Sequence, residues 1–321
     1  MTEQHVTVRV PATSANLGPG FDAFGLAFDR YLVVRSTPAP GGGDRVRFRG
    51  DGDDEVDTGD DNLVWRSLVA FCDHHGAPTP DVGLDVVNDI PLERGLGSSS
   101  AAIVAGLVLG RALTRVEVGD LELVDLADRL EGHPDNVAPA VLGGLVACAP
   151  TDDDRLVVRR HNPAPHLRPV ALIPTTRQAT TAARAVLPES LPRREVAVQA
   201  GRAGHVLGGL LGAWPVDAAA AGDRLHEPAR LQVMTATAAV VNELRAIGVH
   251  AWLSGAGPSA AAMVDGAVAG VAGEVERVAA AHDFDVAWLR VDLSGALACI
   301  DGGCAFSGVG GTCPQCPRQR I

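Results

Sequence analysis

Lysine is absent: all 27 basic residues among the 321 are arginine. The phosphate-binding pattern G-x-x-x-x-G-K-[ST] is therefore excluded, since nothing can fill its lysine position. A coding preference for Arg over Lys, with Ala filling the helices, is the simplest source of this composition. Positive charge is scarce as well. Set against 39 acids, the arginines leave a formal net charge of −12. A nucleic-acid surface needs a net basic patch to gain from counterion release, so no nucleic-acid partner is expected. A phosphorylated ligand would have to be held by local groups against a repelling global field. Long apolar runs are missing too: no stretch of about 18 residues lacks charges or breakers, and no membrane span or membrane partner is expected. The opening "MTEQHVTVRV" has neither the basic n-region nor the apolar h-region of a signal peptide, which makes the cytoplasm the expected location.

What is present is ordinary globular material, 46% hydrophobic and 21% charged, enough for two domains of common size. Residues 6–10, 31–37, 45–50 and 82–90 pattern as strands, and 62–76 has helical apolar spacing ended by a Gly. Segment 11–28 reads as turn-rich. Helices are expected over 101–115 and 120–132, another opening at Pro134, and a strand over 143–150. A Pro- and Arg-rich stretch at 159–169 marks a domain boundary. Beyond it, helices near 180–188, 195–213, 229–247 and 267–281 mix with strands at 169–175, 248–255, 259–264 and 285–291. No fixed period repeats, and the short joins favour α+β over a doubly wound sheet. Segment 51–61 carries seven acids in eleven residues without EF-hand spacing, so it reads as a solvated loop. Cys72 and Cys148 read as small buried residues. Cys299, Cys304, Cys313 and Cys316 crowd the tail. The last two form half of a zinc knuckle and the four could make a Cys₄ site, but the spacing between the pairs fits no zinc pattern, and an extension without fixed structure and an altered reading of the gene's end are the competing readings.

The chemistry concentrates in "PLERGLGSSSAAIVAG" (91–106), which joins a strand to a helix. At such a junction the first amides of the helix have no intrahelical partner, and the macrodipole adds about half a positive charge. Gly95 and Gly97 let the backbone approach an anion, and Ser98, Ser99 and Ser100 bring hydroxyls for capping, phosphate oxygens or a magnesium ion. A phosphate cradle can thus be made without lysine. A capped helix after a tight turn would give the same letters. A second glycine turn, "WLSGAGPSAA" (252–261), favours the cradle: it too follows a strand, with Gly255 and Gly257 two apart.

Four segments in order, "PATSANLGPGFDAFGLA" (11–27), "PLERGLGSSSAA" (91–102), "LEGHPDNVAPAVLGG" (130–144) and "LSGAGPSAAAM" (253–263), resemble the motifs of the GHMP small-molecule kinases. The first and third resemble the homoserine kinase branch in particular. The resemblance implies a two-domain α+β fold, with a ribosomal S5 domain 2-like ATP-binding domain over 1–165 and a ferredoxin-like domain over 166–296. Residues 297–321 form a Cys-rich tail unlike the family. The implied reaction moves a phosphoryl group from ATP to the hydroxyl of L-homoserine, giving O-phospho-L-homoserine for threonine synthesis. Pro91, Leu92, Glu93, Arg94, Gly95, Leu96, Gly97, Ser98, Ser99, Ser100 and Ala101 would wrap the triphosphate, with Asn62 near the adenine. Ser98 and Glu131 would hold Mg²⁺. Asn16, Asp22, His133, Asn136, Arg184 and Arg230 would bind the amino acid, the arginines gripping its carboxylate, while Gly255 and Gly257 close the pocket. Ser98, Glu131 and Asn136 would carry the catalytic roles. A homodimer is also implied.

Without lysine, the Lys–Asp pair expected in mevalonate kinase-like relatives cannot form, and the homoserine kinase branch is the one thought to work without a dedicated base. Catalysis would then rest on positioning and charge neutralisation. Glu93 departs from the family, which has a small residue there; an acid beside the triphosphate should weaken ATP binding unless it points outward or pairs with Arg94. The alternatives are another amino-alcohol or sugar kinase of the superfamily, and a non-catalytic nucleotide-binding protein on the same fold.

Overall fold

The computed structural model of the chain describes residues 5–177, 180–300 and 303–304. The first strand is longer than its alternation suggests. β1 (Val6–Ala15) runs into the segment expected to be turn-rich, and β2 (Phe24–Pro38) begins inside it. The register shifts between Pro11 and Ala12, where a proline, which cannot donate to the ladder, is tolerated. Beyond it Ala12, Thr13, Ser14 and Ala15 are all buried, so small polar residues that read as turn formers are packed between layers.

β3 (Val46–Gly50), α1 (Leu63–His75) and β4 (Val82–Asn88) follow, then α2 (Ser98–Thr114), α3 (Asp120–Glu131), α4 (Pro134–Leu142), β5 (Leu145–Pro150) and β6 (Leu156–His161). The second half holds β7 (Leu167–Pro174), α5 (Thr180–Ala185), α6 (Arg193–Leu210), α7 (Glu227–Val233), α8 (Thr235–Ala246), β8 (His250–Leu253), β9 (Ala260–Asp265), α9 (Val271–Ala281) and β10 (Phe284–Trp288). The helix expected over 229–247 is two: Met234 leaves the helical conformation (φ −119°, ψ 64°) and buries its side chain with Ala183 and Leu253. The chain then returns as β11 (Leu297–Ile300) and β12 (Gly303–Cys304).

Two sheets result. The first has the order β12-β11-β1-β2-β4-β3, with β5 on the opening part of β2 and β6 beyond it. β3 and β4 are parallel because α1 crosses between them, whereas its other pairings are antiparallel. The expected tail thus begins as a strand of this sheet, β11 paired antiparallel to β1. Cys313 and Cys316 lie outside the described residues. The second sheet has the order β10-β7-β9-β8, antiparallel throughout, which is the ferredoxin-like arrangement. Val8, Val10, Phe28 and Val34 of the first sheet meet Leu68 and Phe71 of α1 and Val104, Leu107 and Val108 of α2 in the larger core. Val170, Leu172 and Ala262 meet Val240, Leu244, Val275 and Val278 in the smaller one. Helices against antiparallel sheets make the fold α+β, as expected. Cys72 and Cys148 are buried as expected, and burial, with Asp135 and Asp128 adding, pushes the Cys148 thiol up to about 12.

Candidate active site

The loop between β4 and α2 is fixed from several sides. The Thr13 amide donates to the Leu96 carbonyl (3.0 Å), and the Leu92 amide donates to Asp51 Oδ1 (2.9 Å). Gly95 and Gly97 are both left-handed (φ 70° and 72°). A Cβ on Gly97 would lie 2.0 Å from Thr13 Oγ1, and one on Gly95 would lie 2.1 Å from the Ser254 carbonyl. Ser254 Oγ donates to the Gly95 carbonyl at 2.6 Å, so the second glycine turn is locked onto the first. α2 starts at Ser98 and its first bond back to the loop is Ala101 N–H to the Gly97 carbonyl, so the amides of Ser98–Ser100, which line the cavity, have no partner within the helix. Glu131 ends α3, where its own helix dipole disfavours an acid. It is compensated by α2: Ser99 Oγ donates to one carboxylate oxygen and Ser100 Oγ to the other, each at 2.9 Å. Those contacts come from Ser99 and Ser100, while Ser98 lines the cavity beside them.

Loop, α2 terminus and Glu131 line a cavity of about 550 Å³ that also reaches Asn16, Asp22, His133, Asn136, Arg184, Arg230 and Gly255. Asn16 and Asp22 are themselves left-handed (φ 70° and 53°). Asn16 Oδ1 accepts from the Asp22 amide (3.1 Å) and its Nδ2 donates to the Gly255 carbonyl (3.0 Å), tying the 16–23 connection to the second glycine turn. Arg184 grips Asp22 with two nitrogens, at 2.9 and 3.3 Å. Arg230, only 2% exposed, donates to the Ala183 and Gly255 carbonyls (3.0 and 3.1 Å). Burial, reinforced by Arg184, lowers its pKa. Asn136 accepts from Thr13 Oγ1 at 2.8 Å. His133 Nδ1 bonds Asp135 at 2.9 Å. Burial opposes charging that imidazole, but the Asp135 bond and charge, with Glu131, win and raise its pKa.

The other end of the cavity is walled by Asn62, Glu55, Val56 and Arg177. Asn62 is the N-cap of α1: its Oδ1 accepts from the Val64 and Trp65 amides (3.0 and 3.4 Å) and its Nδ2 donates to the Asp57 carbonyl (2.8 Å). The acidic segment 51–61, expected to be merely solvated, builds this rim: Glu55 pairs with Arg177, whose hydrogen bond holds the carboxyl below its usual value. Glu93 lines the cavity in a left-handed conformation (φ 53°). Arg94 does not pair with it; its guanidinium donates to the Pro174 and Thr175 carbonyls (2.9 and 2.8 Å). Arg177 also lines the cavity; its pKa is raised chiefly by its hydrogen bond to Glu55, with Asp51 and Glu93 adding smaller pulls.

Of the residues singled out in the sequence, Ala101 and Gly257 do not line the cavity. Ala101 is buried in the core behind the loop, and a Cβ on Gly257 would meet Met234 Sδ at 2.7 Å, behind Gly255 and Ala256. Ser254 belongs to the second glycine turn noted in the sequence, whereas Thr13, Asp135 and Arg177 were not foreseen. Asp135, 1% exposed beside His133, could have been suspected from its place between His133 and Asn136; Arg177, in a loop of the second half, gave no local signal.

A glycine–serine loop at a helix terminus, an opposed carboxylate and a cavity closed by a second glycine turn are the parts of a small-molecule kinase, and residues 62–144 match the GHMP kinases N terminal domain. The chain belongs to the homoserine kinase family. It is 39% identical over 296 residues to homoserine kinase of Streptomyces coelicolor, covering 91% of this chain and 93% of that one, and 41% identical over 278 residues to homoserine kinase of Streptomyces avermitilis, covering 84% and 90%. The crystal structure of homoserine kinase from Cytophaga hutchinsonii superposes with a TM-score of 0.77 at 25% identity, covering 93% of this chain and 98% of that one. Mevalonate kinase of L. major, at 15% identity and a TM-score of 0.60, covering 92% and 97%, shares the fold.

Proposed function

We propose that this chain transfers the γ-phosphoryl group of ATP to the side-chain hydroxyl of L-homoserine, giving O-phospho-L-homoserine for threonine synthesis. The observation that carries the reading is that Asp22, Arg184 and Arg230 open on the same cavity as the glycine–serine loop and Glu131. An α-amino acid presents an ammonium and a carboxylate, and here one carboxylate and two guanidiniums wait for them. The Asp22–Arg184 pair would be exchanged for two pairs with the zwitterion, Asp22 on the ammonium and Arg184 with Arg230 on the carboxylate. Asn16, His133 and Asn136 would orient the rest of the amino acid. Residues 91–100 would take the triphosphate on the free amides of α2, with Arg177 offsetting Glu93 at the rim.

Glu131 and the serine hydroxyls form an all-oxygen donor set, which suits Mg²⁺, and each carboxylate oxygen keeps a lone pair after accepting its serine hydroxyl. Glu131 with Ser98 would hold the ion, which when bound neutralises phosphate charge. The substrate oxygen bonds to the γ-phosphorus as the bond to the β–γ bridging oxygen breaks. ADP leaves, and the hydroxyl proton passes to a phosphate oxygen or to water. The domain division near residue 165, a homodimeric state and a cytoplasmic location belong to the same proposal and rest on the family resemblance.

The test is a coupled ADP-release assay with Mg-ATP and L-homoserine, D-homoserine, L-threonine, L-serine, mevalonate or galactose. Turnover with L-homoserine alone, abolished in Glu131→Ala and reduced in Arg230→Ala, is expected. Preference for another acceptor would make the chain a different kinase of the superfamily. Silence on every acceptor with ATP still bound would make it a nucleotide-binding protein.

A further inference from the structure

Away from the cavity, the C-terminal end of α1 meets the first turn of α3. One imidazole nitrogen each from His74 and His75 and a carboxylate oxygen of Glu122 lie within 4.8 Å of one another. The two rings stand edge to face with centroids 4.8 Å apart. His74 and Glu122 are exposed and His75 is half-buried, with its Nε2 shut off from water and without a hydrogen-bond partner. The end of a helix favours a cation, since its last carbonyls carry partial negative charge, and these two histidines are the basic residues of α1's last turn.

We propose that His74, His75 and Glu122 bind a first-row transition-metal dication of the zinc class. Two imidazoles and one carboxylate are a borderline-soft donor set, whereas Mg²⁺ and Ca²⁺ prefer oxygen throughout. Small rotations bring the three donors onto one ion, with solvent completing the shell. The site joins the far ends of two helices that both pack on α2 and whose near ends reach the cavity: α1 through its N-cap Asn62, α3 through Glu131. Over the 13 residues of α1 the separation is about 20 Å, so the ion is a structural staple rather than a participant in phosphoryl transfer.

The experiment titrates the full-length, reduced protein with Co²⁺ in excess Mg²⁺, follows the visible spectrum, and displaces Co²⁺ with Zn²⁺. Three proteins are compared: the parent, His74→Ala/Glu122→Ala and Cys313→Ser/Cys316→Ser. The expected result is one equivalent bound without a thiolate charge-transfer band, retained in the cysteine variant and weakened at least ~10-fold in the His74/Glu122 variant. Zn²⁺ should raise the Tm of the parent and not of the His74/Glu122 variant, whose ATP turnover should match the parent's without added metal. Equal Co²⁺ binding by the parent and the His74/Glu122 variant, or loss only in the cysteine variant, overturns the proposal.

Discussion

Arg184 and Asp22 are each about one-third exposed, so their ion pair contributes little to stability, while both would contact the substrate directly. Asp22→Asn and Arg184→Ala should therefore shift the unfolding free energy by no more than about 1 kcal/mol. Losing a charge-assisted grip worth about 1.5–3 kcal/mol should raise the KM for homoserine roughly 10- to 100-fold with the KM for ATP unchanged. Thermal melts and two-substrate kinetics read the two effects separately, and a large Tm loss without a KM change would make the pair structural. His250 shows the opposite allocation. It starts β8 fully enclosed, and burial, with Arg245 adding, pushes its pKa down to about 3 from 6.5. Above pH 6.5 the imidazole is neutral folded and unfolded and contributes no pH dependence. As pH falls from 6.5 toward 3, the unfolded chain takes up a proton that the folded chain refuses, so stability falls by as much as ~1.4 kcal/mol per pH unit. Urea melts between pH 7 and 4 should show that slope, and His250→Gln should flatten it even if its baseline stability is lower.

Among the elements, the joint between β4 and α2 has the least room for change. Gly97→Ala would put a Cβ 2.0 Å from Thr13 Oγ1 on a left-handed residue (φ 72°), and relieving the clash means shifting the start of α2 or turning the Thr13 hydroxyl off Asn136. A displacement near 1 Å at a reacting centre costs about 100-fold, so kcat/KM for ATP should fall by roughly that much while far-UV circular dichroism is kept. Gly119→Ala, before α3 with nothing within 4 Å of the added carbon, is the matched control and should leave kinetics unchanged. This joint was legible in the letters because strand pattern, paired glycines and serines at a helix start each have a local physical cause. The long hairpin of β1 and β2 was not, because Thr13, Ser14 and Asn16 resemble turn formers until their partners are known. Those partners, Asn136, Ser254 and Gly255, lie more than a hundred residues away. The break between α7 and α8 was hidden for the same reason: Met234 leaves the helix to fill a space between Ala183 and Leu253 that no local pattern announces.

For the whole molecule, the order of motifs already carried the fold class and most of the cavity, since each motif lands on a loop or helix end that faces the same space. What the order could not carry was electrostatics. Segment 51–61 reads in sequence as solvated charge, and Glu93 as a liability unless it points outward or pairs with Arg94; in the fold Arg177, from the other half of the chain, pairs with Glu55, and Glu93 adds a weaker pull on the same guanidinium. The field on ATP therefore has two ranges. Nearby are Arg94, Arg177, Arg184, Arg230 and the α2 terminus, which attract phosphate. Farther out are the acids that give the whole chain a formal net charge of −12, and they repel it. Salt separates the two, because the Debye length shrinks from about 30 Å at 0.01 M to about 8 Å at 0.15 M, muting distant acids before contacts inside the cavity. The KM for ATP should thus fall as NaCl is raised over that range, by on the order of 2- to 5-fold, the reverse of the trend for a basic phosphate-binding surface. Homoserine, a zwitterion without net charge, supplies the internal control: its KM should stay level across the same series. If the KM for ATP instead climbs with salt, the arginines of the cavity dominate at every distance, and Arg177→Gln should then remove most of the climb.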